Sequence, residues 1–208
     1  MIRAFLAVEL NDDLRKHISQ VQQDLKQRLA REGLKGVRIS WVQPGSIHLT
    51  VKFLGDIDEQ LVDPLREALS NPMKAHQPIQ IPIEQLGVFP HPHQPRVLWV
   101  GPSESWERGE DTKRLAALHR AVEGCCESFG LAPEGRPLSP HLTLARIKAG
   151  ERQLAQTLSR LGVMDRPLSL GPLRVDSVVL MKSELRPTGS LYTKLWEVLV
   201  SDSITGQS

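Results

Sequence analysis

Cysteine is nearly absent from this chain: Cys125 and Cys126 are the only two in 208 residues, and they are neighbours. Adjacent cysteines rarely bridge each other, so a disulfide framework is excluded and a reducing compartment is the expectation. No apolar run approaches the roughly 18–20 residues that cross a bilayer, which excludes a transmembrane helix. Net charge is also small: 26 Lys and Arg face 24 Asp and Glu, leaving +2. Such a balance argues against tight, sequence-blind binding along many phosphates, which needs a concentrated basic face. No glycine-rich loop opens a helix as a nucleotide cradle. The first ten residues lack the long apolar stretch of a signal peptide and run into Asn11-Asp12-Asp13. They are expected to form the first strand of a cytoplasmic protein.

What is present is ordinary in proportion, with 40% hydrophobic and 24% charged residues. This is the composition of a globular protein with one large domain or two small lobes. Periodicity predicts a strand at 3–8, then a helix capped by Asn11 or Asp12 and carrying Leu14, Ile18, Val21, Leu25 and Leu29 on one face. Strands follow at 37–41 and 47–54, and a helix at 58–69. Further strands are expected at 79–88 and 96–101, separated by the proline-rich loop 89–95, then a helix near 111–129. The remainder reads as a strand at 141–147, a helix at 151–161, strands at 168–170, 173–181 and 191–200, and a polar frayed tail at 201–208. Frequent hairpin-like strand pairs make the class α+β with antiparallel sheets, and no linker divides residues 1–200.

One segment occurs twice. Ser46-Ile-His48-Leu-Thr50-Val51 is echoed by Ser139-Pro-His141-Leu-Thr143-Leu144, each at the start of an expected strand after a proline-containing turn. Two copies in equivalent contexts point to a duplicated lobe. Side chains alternate along a strand, so His48 and Thr50 share one face while Leu49 and Val51 take the other. The same holds for His141 and Thr143. Two opposed imidazoles suit acid–base catalysis near neutral pH, and the hydroxyls suit the oxygens of a phosphoryl group between them. A phosphodiester hydrolysed without a metal fits that arrangement. Strand parity sends Arg146 away from the cleft unless a bulge redirects it, points Lys52 into it, and puts Phe53 with the core-facing residues.

With these residues the sequence resembles the two-histidine (2H) phosphoesterase superfamily, and within it the RNA 2′,3′-cyclic phosphodiesterases, historically named 2′-5′ RNA ligases. The similarity also runs through Arg3–Leu10, Trp41–Asp56, Arg96–Gly101 and Val175–Tyr192. It implies a bilobal fold of two pseudo-symmetric lobes around a central cleft. It implies opening of a 2′,3′-cyclic phosphate at an RNA end to a 2′-phosphate, and a weak ATP-independent reverse activity that joins tRNA half-molecules through a 2′-5′ bond. His48 and His141 then form the catalytic pair, with His141 as base toward water and His48 as acid toward the 3′-oxygen. Thr50, Thr143 and Arg146 hold the phosphate. No cofactor and no metal are expected, and a monomer is expected. The same chemistry would serve ADP-ribose 1″,2″-cyclic phosphate or 2′-5′ oligoadenylate, and an RNA-end-binding module without turnover is the rival from another class. His91-Pro-His93 is read chiefly as a stiff loop rather than a metal site, and His17, His76 and His119 as solvated. Of the two cysteines, one is expected in the core and the other partly exposed.

Overall fold

A computed structural model describes residues 1–186 and 189–200; the tail expected at 201–208 lies outside the described residues. Ten strands and five α-helices, with two short 3-10 turns, make up the described residues. In order they are β1 (Ile2–Glu9), α1 (Asp12–Arg31), β2 (Arg38–Trp41), β3 (His48–Ile57), α2 (Val62–Lys74), β4 (Ile79–Pro82) and β5 (Gln85–His91). There follow β6 (Gln94–Gly101), α3 (Glu104–Glu107), α4 (Glu110–Glu127), β7 (Leu142–Ala149), α5 (Glu151–Arg160), β8 (Pro172–Val175), β9 (Ser177–Arg186) and β10 (Gly189–Leu199). The class is α+β, with every strand pairing antiparallel.

Two four-stranded sheets carry the architecture. The first has the order β10-β9-β1-β3 and the second β2-β7-β6-β5, while β4 and β8 form a separate pair. Helices α2 and α4 pack together on the first sheet, and α5 packs on the second. The Asn11 side chain accepts from Leu14 N–H at 2.8 Å, capping α1. The buried stripe of α1 runs Leu14, Ile18, Gln22, Leu25 and Leu29. Gln22 stands at an apolar position and is 1% exposed. Its Nε2 donates to the carbonyls of Val42 and Leu144, both at 2.9 Å. One buried amide thereby ties the approach to the first His-x-Thr segment to the strand of the second.

The two motif strands share an irregularity. Along β1–β3, Ala7 pairs with Thr50 and Leu6 with Lys52, so Val51 has no partner. Along β6–β7, Trp99 pairs with Thr143 and Leu98 with Ala145, so Leu144 has none. A β-bulge therefore falls three residues after each histidine and reverses the alternation beyond it. Past the first bulge Lys52 turns inward at 0% exposed and Phe53 turns outward at 62%. Past the second, Ala145 is buried and Arg146 exposed. This corrects two readings made from strict alternation: Lys52 does not face the cleft, and Phe53 is not a core residue.

Other boundaries differ for local reasons. The strand expected at 79–88 divides into β4 and β5, and the expected loop 89–95 shortens to a tight hairpin. Residues 168–170 form no strand, although Leu168 N–H and Leu170 N–H donate to the carbonyls of Glu84 and Ile83. Among the described residues no helix is long and apolar enough to cross a membrane.

Candidate active site

Matching local frames place the two histidines. His48 Nδ1 lies 2.8 Å from the Ser46 carbonyl, and His141 Nδ1 lies 2.8 Å from the Ser139 carbonyl. A carbonyl only accepts, so each Nδ1 carries a proton and each neutral ring keeps its lone pair on Nε2. Aromatic neighbours then fix the ring planes. Phe5 stacks on His48 with centroids 4.7 Å apart, and Tyr192 meets it edge-on at 5.2 Å. On the other lobe Phe89 meets His141 edge-on at 5.0 Å, with Trp99 6.4 Å away. Phe5 belongs to a small second apolar cluster with Ala7, Val179 and Met181, against which Tyr192 packs.

His48, Thr50, His141, Thr143 and Arg146 line one cleft of about 300 Å³. The structure thus brings together all five residues singled out by the repeat and the resemblance. Phe53, Tyr192, Arg3, Ser183 and Ser190 line the same cleft. Among the described residues no Asp or Glu lines it, which makes it a site for an anion. Arg146 forms no salt bridge with a described residue, so its guanidinium is available to a phosphate.

The electrostatics of the pair follow from burial. Desolvation holds His48 below the ordinary imidazole value; the Ser46 carbonyl opposes this, while the charges of Arg146 and His141 push further down and Glu9 pushes up. His141 is also held low, first by burial and then by Arg146, against the Ser139 carbonyl. The charge of Arg146 pushes both rings down.

Three sequence expectations are corrected beside the two histidines. Lys52 Nζ donates to Glu123 Oε2 and to the Ala132 carbonyl, both at 2.8 Å, instead of standing in solvent. His119 is buried, not solvated, with Nε2 3.4 Å from Glu123 Oε1. Phe53, core-facing by parity and so no base platform, stands in the cleft. The other assignments are simpler. Cys126 is buried, its thiol pushed up to about 12 by desolvation, and Cys125 is half-buried. His91 and His93 stand exposed at the β5–β6 turn. Among the described residues no three His, Cys, Asp or Glu side chains converge as metal ligands would.

Residues missed by sequence reasoning are Phe5, Tyr192 and Gln22. The first two act through pairings across the sheet, which no local pattern announces. Gln22 carries a signal, a polar residue in an apolar helical stripe.

Twin His-x-Thr strands, bulged at the same point and meeting across a cleft between two antiparallel sheets, define a two-histidine phosphoesterase fold. The chain belongs to the 2′-5′ RNA ligase superfamily, whose sequence profile matches residues 42–187. It is 33% identical over 194 residues to an RNA 2′,3′-cyclic phosphodiesterase of Methanothermobacter thermautotrophicus, covering 93% of this chain and 96% of that protein. An Aquifex aeolicus protein of the same name is 31% identical over 175 residues, covering 84% of this chain and 88% of that one. A crystal structure of a Thermus thermophilus protein superposes with TM-score 0.68 at 26% identity, over 96% and 98% of the two chains. E. coli LigT complexed with 3′-AMP shares the fold at TM-score 0.69 and 21% identity, over 97% and 99%.

Proposed function

We propose that the protein hydrolyses 2′,3′-cyclic phosphate at RNA ends to a 2′-phosphate, using His48 and His141 as an acid–base pair. The observation that carries this reading is the pair itself: two imidazoles in matching frames, each with Nε2 unengaged, in a cleft where Arg146 meets no described carboxylate. One ring removes a proton from water as its oxygen attacks phosphorus. The P–O3′ bond breaks, and the other ring delivers a proton to the departing 3′-oxygen. Thr50, Thr143 and Arg146 hold the non-bridging oxygens, and the fixed donors gain strength as charge builds there.

The sequence expectation makes His141 the base and His48 the acid. In the free cleft burial and the charge of Arg146 hold both rings low, and the two rings oppose each other's protonation. The ring that faces O3′ is the acid. A 5′-end hydroxyl in place of the attacking water would form the new P–O5′ bond as P–O3′ breaks, joining two RNA ends 2′-5′ without ATP.

Phe53 offers the base of the terminal nucleotide a stacking surface, as the outward residue five positions after His48. Arg146 is the residue five positions after His141, so the two bulges present a ring and a cation to the same substrate. Phe53→Ala is expected to raise KM for a cyclic nucleotide roughly tenfold while changing kcat little, since base–aromatic stacking contributes about 1–3 kcal/mol. Steady-state kinetics on the purified variant checks this.

The test of the function is incubation with a nucleoside 2′,3′-cyclic phosphate in excess EDTA, with the product isomer identified by phosphorus NMR. The expected product is the 2′-phosphate at an undiminished rate. A 3′-phosphate would contradict the assigned bond cleavage, and turnover restored only by metal would contradict the two-histidine chemistry. Turnover confined to ADP-ribose 1″,2″-cyclic phosphate or 2′-5′ oligoadenylate would replace the substrate.

A further inference from the structure

The near-neutral charge of the chain conceals an uneven distribution between its sheets. The strands of the second sheet, β2, β5, β6 and β7, contain no Asp or Glu, yet they carry Arg38, Arg96, Arg146 and Lys148. None of these four cations makes a salt bridge to a described residue. The strands of the first sheet interleave their Lys and Arg with Glu9, Asp56, Glu184 and Glu197. Several of these pair off, as Lys194 does with Glu9 and Glu197 and Lys182 with Glu184. The unneutralised field of the two sheets is therefore concentrated on one of them.

Strand geometry puts part of that charge on a path leading out of the cleft. In β7 the exposed Arg146 and Lys148 alternate with the buried Ala145 and Ile147, so the two cations share the outer face of the sheet. Two residues of strand rise separate them, about 6–7 Å, close to one phosphate step of an extended nucleic-acid strand. On the neighbouring β2, Ser40 pairs with Arg146 and Arg38 with Ala149. Arg38 and Ser40 are exposed, whereas Ile39 and Trp41 pack toward the core. Arg38 thus extends the row beyond Lys148 on the same face. Helix α5 packs against this sheet at β6, and Gln22 of α1 reaches the Leu144 carbonyl, yet neither neutralises the row.

We infer that Lys148 and Arg38 form a backbone subsite that holds the phosphates of RNA upstream of the reacting terminus, so that the enzyme prefers an oligoribonucleotide end over a free cyclic nucleotide. The inference rests on the RNA-end reading above and names where the rest of the strand lies. Phosphate contacts of this kind carry no sequence information and are weakened by salt. The subsite therefore accepts RNA ends of any sequence.

The experiment compares kcat/KM for cytidine 2′,3′-cyclic phosphate with that for a short oligoribonucleotide ending in the same group, from low to high salt. The wild type is expected to favour the oligonucleotide at low salt and to lose that advantage as salt rises. Arg38→Ala/Lys148→Ala is expected to lower kcat/KM on the oligonucleotide by roughly tenfold and to reduce the log–log salt slope by about 1.4, two contacts at about 0.7 each. Its rate on the mononucleotide should match wild type, which also reports an intact fold. Equal loss on both substrates, an unchanged oligonucleotide advantage, or no advantage in the wild type would each overturn the subsite. If the wild type turned over neither substrate, the proposed function would fall and the subsite with it.

Discussion

Replacing His48 or His141 by alanine is expected to lower kcat on a 2′,3′-cyclic nucleotide by roughly 10²–10⁴-fold, the usual contribution of one positioned proton-transfer group. The fold should persist, because neither ring belongs to the main apolar core. The double variant should fall little further than the worse single one, since an acid and a base serving one displacement act as a unit. Full activity in either single variant, measured on protein with an unchanged circular dichroism spectrum, would remove that histidine from the mechanism.

The second large effect concerns stability and lies outside the cleft. Lys52 is fully buried and pairs with Glu123, whose Oε2 also accepts from Glu134 N–H at 3.2 Å. Glu134 Oε1 in turn accepts from Phe53 N–H at 2.9 Å, covering the free edge of β3. This network ties the segment leading to His141 onto the strand that carries His48. Lys52→Met leaves the half-buried Glu123 carboxylate without its cation and is expected to destabilise the fold by about 3 kcal/mol, the low end for a broken buried pair. Lys52→Met/Glu123→Leu removes both charges and should recover most of that loss, because an apolar replacement of a whole buried pair is often nearly neutral. Urea midpoints distinguish the cases. Equal stability of wild type and Lys52→Met would show that the pair contributes nothing.

The histidines are legible in the sequence because duplication wrote the same segment twice, and because a strand of period two converts His-x-Thr into two groups on one face. Arg146 is legible only through family resemblance, since strict alternation points it the wrong way. The bulges at Val51 and Leu144 explain why. Each adds one residue against its partner strand, and no residue type in either segment marks the insertion. Lys52 and Phe53 escape a sequence reading for the same reason. Alternation places the lysine in the cleft and the phenylalanine in the core, and one unpaired residue exchanges them. Phe5 and Tyr192 reach His48 from other strands, so their contribution exists only once β1, β3, β9 and β10 have assembled. The α+β class and most elements follow from periodicity. The division of 79–88 into two strands does not, because Ile79, Ile81 and Ile83 continue one alternating pattern across the break.

The most direct measurement of the central claim is the pH dependence of kcat/KM for a cyclic nucleotide in wild type and in each single histidine variant. Burial and Arg146 depress both imidazoles, and depression favours the neutral form, so in the free enzyme the bell should be centred below the ordinary histidine value. The two limbs belong to the coupled pair, and each variant should lose one of them. Loss of the alkaline limb identifies the acid. A wild-type profile with a single limb, or a bell that survives intact in both variants, would contradict catalysis by paired histidines.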